Sequence, residues 1–146
     1  MKHEYETVVA ISAPPDAVWR ILTDAAGYTS WNPELIGIEG RFAANERIKA
    51  RVKLGNGAGR SVGMRVTAYD PPRRMEWTGG MPLGLFVGRR TLMVRAREAG
   101  AEFRMHLSMT GLLSPLILKS VGDRQPEIDS FAAALKAHAE QRDVRR

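Results

Sequence analysis

Residues 47–54, Arg47-Ile48-Lys49-Ala50-Arg51-Val52-Lys53-Leu54, alternate strictly between a basic and an apolar side chain. Successive strand side chains point to opposite faces, so this stretch reads as a strand with one buried face and one wet face. The pattern continues downstream. Gly55-Asn56-Gly57-Ala58-Gly59 reads as a hairpin loop, after which Val62, Met64, Val66 and Ala68 share one face. Asp70-Pro71-Pro72-Arg73 is a tight turn, and Met75 and Trp77 carry the apolar face onward. Residues 79–85 are glycine-rich and apolar and read as a loop. The next strand sets Leu92, Val94 and Ala96 against Arg89, Arg95 and Arg97. Glu98-Ala99-Gly100-Ala101 turns the chain into a last strand. There Phe103, Met105, Leu107 and Met109 point inward, with Glu102, Arg104, His106 and Ser108 outward.

The helical period frames this run of strands. Ser114-Pro115 starts a helix that is apolar nearly all round at Leu116, Ile117 and Leu118, and Gly122 and Pro126 predict a bend or break. Beyond it, Ile128, Phe131, Ala132, Leu135 and Ala139 form one apolar stripe. Upstream, Tyr5 to Ser12 reads as a strand. Pro14 to Thr23 reads as a helix, with Asp16 early and Val18, Trp19, Ile21 and Leu22 at helical spacing. A short helical turn follows at 25–29, ended by Trp31-Asn32-Pro33. Ile36, Ile38 and Gly40 then share one face of a further strand. Seven strands with one long C-terminal helix on one face make an α+β layer architecture, a curved antiparallel sheet around the helix.

At 146 residues the chain reads as a single domain, 1–146, with residues 141–146 frayed. It has no cysteine, which excludes disulfides and thiolate metal sites and fits a reducing cytoplasm. No apolar run nears the roughly 20 residues needed to span a membrane, and Met1 to Glu6 lacks the apolar core of a signal peptide. The net charge of +6 comes from a basic face at Arg47, Lys49, Arg51, Lys53, Arg65, Arg89, Arg95, Arg97 and Arg104. Aromatics are not interleaved with these cations as a single-strand platform requires, so the face reads as solvated and no nucleic acid is expected.

Ile11-Ser12-Ala13-Pro14-Pro15-Asp16-Ala17-Val18-Trp19, then Thr23-Asp24, then Trp31-Asn32-Pro33, follow a recurring pattern: Ile-x-Ala-Pro, Val-Trp, Asp, Trp-x-Pro. With Gly111-Leu112-Leu113 and the terminal amphipathic helix, this resembles the START-like or SRPBCC superfamily, the helix-grip proteins, and its polyketide cyclase/dehydrase-type families. The resemblance covers almost the whole chain. It implies a deep cavity between sheet and long helix, often holding a hydrophobic molecule. It is poor for function, because this fold hosts lipid carriers, cyclases, hydratases and co-chaperones.

The expected lining follows from the inward phases. On the strands it is Met64, Met75, Trp77, Phe86, Arg90, Leu92, Phe103, Met105, Leu107 and Met109. Trp31, Leu113, Ile117 and Phe131 come from the loop and the helical region. Methionine suits both ordinary core filling and a surface that accepts varied apolar partners. Arg90 shares phase with Leu92 and Val94. It either points inward to an acidic head group, with Asp24 as a possible protein partner and Glu76 discounted because it is out of phase with Trp77, or is solvated. The histidines, His3, His106 and His138, are dispersed and imply no metal site. Few inward positions are ionisable, so no catalytic residues and no cofactor are expected. The leading expectation is a carrier or sensor of a small hydrophobic or amphipathic ligand. A polyketide cyclase or dehydratase and a co-chaperone-like interaction module are the alternatives. Residues 79–87 and 112–118 form the expected entrance, with a transient membrane contact as an option; the oligomeric state is left open.

Overall fold

The structure, a computed structural model, describes residues 2–32, 35–53 and 59–144. The hairpin loop expected at 55–59 lies mostly outside the described residues, as does Pro33. Seven strands run in the sheet order β1-β7-β6-β5-β4-β3-β2. They are β1 (Lys2–Ile11), β2 (Leu35–Glu39), β3 (Arg47–Lys53), β4 (Gly59–Asp70), β5 (Arg74–Met81), β6 (Phe86–Arg97) and β7 (Gly100–Thr110). Every neighbouring pair is antiparallel. The first strand therefore returns to pair with the last, from Lys2 opposite Thr110 to Ile11 opposite Ala101.

The helix α1 (Pro15–Thr23) begins as expected, with proline at its first position and Asp16 in its first turn. Val18, Trp19, Ile21 and Leu22 are its buried face. A 3-10 turn, Ala25–Ser30, follows, with Asp24 accepting from the Gly27 N–H. After the sheet come α2 (Ser114–Val121) and α3 (Gln125–Val144). The break falls at Gly122, which holds φ at 79°, a value that favours glycine. On α3 the buried residues are Ile128, Phe131, Ala132, Leu135 and Ala139, the expected stripe. The chain thus has the helix-grip architecture, with α3 lying mainly along β1 and touching α1 and β7.

Three expectations need correction. In β2 a bulge between Leu35 and Gly37 turns Ile36 to solvent, leaving Leu35 and Ile38 against the core. In β4 a bulge between Val66 and Ala68 shifts the phase, so Tyr69 packs inward beside Trp19, with ring centroids 5.9 Å apart. Residues 79–81 are not loop. They extend the β5–β6 ladder through Gly79 opposite Gly88 and Met81 opposite Phe86, leaving only a 3-10 turn at Pro82–Gly84. α3 is assigned through Val144.

The basic face is largely neutralised on the β1–β7–β6 side. Glu102, itself buried, takes Arg95 at 2.8 Å and Arg97 at 2.6 Å. Glu6 holds Arg104 at 2.6 Å, and Glu76 holds Arg74 and Arg89. Arg47, Lys49 and Arg51 on β3 are exposed, as a solvated face requires.

Candidate functional site

The concave face, under the helices, is closed unevenly. Toward the β6–β7 turn it is solid. Met75, Leu92, Phe103 and Met105 have no solvent exposure, and Phe131 from α3 and Trp31 from the loop fill the space above them. Tyr28 is the hub of this packing, with ring centroids 4.8 Å from Trp31, 5.5 Å from Phe42 and 6.2 Å from Phe131. Trp31 meets Phe131 edge-on at 5.2 Å and stacks on His138 at 6.3 Å. Such offset and edge contacts add to the area these rings bury. Six of the expected lining residues, Trp31, Met75, Leu92, Phe103, Met105 and Phe131, therefore sit in this sealed part.

Toward the β5–β6 turn the same face is mixed: Trp77, Leu107 and Met109 are still buried, while the residues around them keep partial exposure. Two rows cross the sheet here. In the first, Trp77 stands opposite Arg90, Arg90 opposite Leu107, and Leu107 opposite Tyr5. In the second, Gly79 stands opposite Gly88, Gly88 opposite Met109, and Met109 opposite His3. The glycine pair leaves a floor without side chains. A Cβ built on Gly79 would sit 2.7 Å from the Gly63 carbonyl oxygen. One on Gly88 would make ordinary van der Waals contact, with the Phe86 ring at 3.7 Å and the Gly79 oxygen at 3.8 Å. Gly88 is itself only partly buried. Met64, Phe86, Ile117 and Leu118 border this end and are only partly buried, as is Leu113.

The expected entrance segments meet at this end. Leu113 N–H donates to the Leu85 oxygen at 2.8 Å, and a Cβ on Gly111 would collide with the same carbonyl. Their apolar side chains stay outside: Leu83 is 97 % exposed, Leu112 83 % and Leu116 63 %.

Arg90 points inward, and its partner is neither Asp24 nor Glu76. Both guanidinium nitrogens donate to Glu127 in the first turn of α3, at 3.1 Å and 2.6 Å. Glu76 lies on the opposite face, with Arg74 and Arg89. The solvated alternative for Arg90 is corrected too, since its side chain is 19 % exposed. Arg124 lies 3.7 Å from the same Glu127 carboxylate. Two polar atoms on this face, Trp77 Nε1 and His3 Nε2, are buried and have no hydrogen-bond partner among the described residues.

Sequence reading missed Tyr28, Phe42, Glu127 and the inward setting of His3. For Glu127 a signal existed: it precedes Phe131 by four residues and Leu135 by eight, so it shares their helix face. Burial raises the Tyr28 pKa well above the usual phenol value; Asp24 adds to this and Arg90 opposes it. Its hydroxyl donates to the Leu22 carbonyl. A separate open cleft of about 740 Å³ lies at the other end, walled by Ala10 to Ser12 and the β6–β7 turn from Arg95 to Ala101. Its arginines and Glu98 do not make it the apolar chamber the sequence led us to expect.

A sheet gripping a C-terminal helix over an apolar concave face defines the START-like class. Residues 2–140 match the family described as polyketide cyclase / dehydrase and lipid transport, and the chain belongs to that family. No curated protein matches it. Among solved structures it is similar to protein NE0264 of Nitrosomonas europaea, at 12 % identity and TM-score 0.75, with 97 % of this chain and 96 % of that one covered. It is also similar to the Zhui aromatase/cyclase of a Streptomyces species, at 17 % identity and TM-score 0.74 over 97 % and 96 %. A START superfamily protein of Mycobacterium smegmatis shows 18 % identity and TM-score 0.73 over 95 % and 98 %. At these identities the likeness is one of fold. No helix among the described residues is long and apolar enough to cross a membrane.

Proposed function

We propose that this protein reversibly binds a small hydrophobic or amphipathic molecule at the half-covered end of its concave face, as a carrier or sensor. One observation carries the reading: the apolar face is fully buried toward the β6–β7 turn, while Met64, Phe86, Gly88, Ile117 and Leu118 toward the β5–β6 turn keep partial exposure. Apolar surface left bare in a folded chain forgoes about 25 cal/mol per Å², which a ligand recovers on burial. Fourteen residues were expected to line one cavity. The proposed site keeps Met64, Trp77, Phe86, Arg90, Leu107, Met109, Leu113 and Ile117, and assigns the other six to the core.

Binding fits the described groups better than proton-transfer catalysis does. The Tyr28 hydroxyl is committed to a carbonyl oxygen, and its raised pKa keeps it protonated at neutral pH. Arg90 and Glu127 hold each other.

The test is Gly88→Leu. The added Cβ meets only ordinary contacts at this partly buried position, so the variant is expected to fold with a melting temperature within a few degrees of wild type. A neutral fluorescent apolar probe then binds at least about tenfold more weakly, because the floor is filled. Unchanged affinity, or no binding of a broad set of apolar probes to the wild type, removes the reading.

A further inference from the structure

The polar atoms around the bare floor point to a class of ligand; this step rests on the binding function proposed above. Trp77 is 4 % exposed, and its Nε1 has no acceptor among the described residues. A buried donor left unpaired costs about 1–3 kcal/mol, and natural structures rarely leave one without a use. The ring is held in place by Phe42, stacked on it at 5.2 Å and 10°. Directly opposite, on the next strand and the same face, stands Arg90. Tyr28 borders both: its ring lies 6.4 Å from Trp77, and the Arg90 charge acts on its hydroxyl.

Arg90 is not spent on the sheet. It reaches up to α3 and offers a two-nitrogen fork, presently filled by the Glu127 carboxylate. Arg124 lies beside the same carboxylate, so two guanidinium groups border it. The chemistry this fork accepts is therefore visible in its occupant, a planar two-oxygen anion.

We propose that this end of the face binds an apolar carboxylic acid. One ligand oxygen accepts from Trp77 Nε1 and the other from Arg90, in place of or alongside Glu127. The Gly79–Gly88 floor, one row nearer the β5–β6 turn, takes the first part of the tail. The tail then leaves between Phe86 and Ile117. Glu127 acts as an internal stand-in for the head group, keeping Arg90 poised while no ligand is bound.

The test titrates the full chain by calorimetry with dodecanoic acid and with its methyl ester, each below the concentration at which it aggregates. The acid is expected to bind at least about tenfold more tightly at neutral pH. Trp77→Phe keeps the stacked ring and removes the N–H. It lowers acid affinity about 5- to 20-fold. Arg90→Lys keeps the charge but loses the fork and acts in the same direction, so the result does not depend on one variant folding. Glu127→Gln removes the competing anion and tightens acid binding several-fold. Equal affinities for acid and ester, or a folded Trp77→Phe that binds the acid like wild type, overturn the carboxylate assignment while the binding function stands. If neither compound binds, both proposals fall.

Discussion

The helices α2 and α3 follow the same sheet and are both rich in apolar residues, yet they cover it differently. On α3 a stripe from Ile128 to Ala139 is buried, and the helix is also tied to the strand beside it. Gln125 Nε2 donates to the Glu6 oxygen at 2.9 Å and Lys136 Nζ to the Ala10 oxygen at 2.8 Å, while Glu140 accepts the Ser12 N–H. On α2, Leu116 faces solvent and Ile117 and Leu118 are only half-buried. Its start is held by backbone bonds from Leu113 to Leu85 and from Ser114 to Gly111, and its end by a glycine. The difference teaches that apolar content alone does not close a sheet. A helix closes it when its stripe and its polar ties reach the same strand.

Core deletions give the sharpest probe of this contrast. Met105→Ala, in the sealed part, is expected to cost about 2–4 kcal/mol in urea unfolding, because its neighbours cannot collapse into the cavity. Met64→Ala, at the half-covered end, should cost under about 1 kcal/mol, since that side chain gives up less burial. Equal losses would erase the distinction between the two ends. A smaller effect is expected from Leu116→Ser on α2, within about 0.5 kcal/mol of wild type. A loss above 1 kcal/mol would mean that α2 seals more than its exposure indicates.

The smallest effect concerns pH. Burial, with Arg142 nearby, lowers the His138 pKa from its ordinary value. The unfolded chain then takes up the proton first as pH falls. Stability is full above the unfolded value of about 6.5 and declines below it, toward the lower folded value. His138→Gln should flatten that decline between pH 7.5 and 5.5, read as the denaturation midpoint. An unchanged slope would mean that His138, stacked on Trp31, is not what senses pH on α3.

Much of the fold was legible because period and punctuation agree. The alternation over Arg47 to Arg51, the Pro14-Pro15-Asp16 helix start and the Gly122–Pro126 break each state one local choice, and each was found where read. Bulges were not legible: nothing in Leu35-Ile36-Gly37 or Val66-Thr67-Ala68 announces the extra residue that turned Ile36 out and Tyr69 in. The proposed site was half legible. Phase alone brought Met64, Trp77, Arg90, Leu107 and Met109 to one face. Phase could not say which part of that face the helices seal, because that depends on where α3 docks. Nor could it pair Arg90 with Glu127, 37 residues away on another element.

The ties between α3 and β1 have a consequence for assembly. β1 is a ten-residue edge strand, and such an edge is a template for a further strand. Gln125 and Lys136 occupy its backbone oxygens at Glu6 and Ala10, and Glu140 takes the Ser12 N–H just beyond it. A neighbouring copy that paired along this stretch would have to displace those helix side chains. One helix therefore guards the protein against self-association as well as closing its interior, and loosening it exposes both the core and an edge on which aggregates grow.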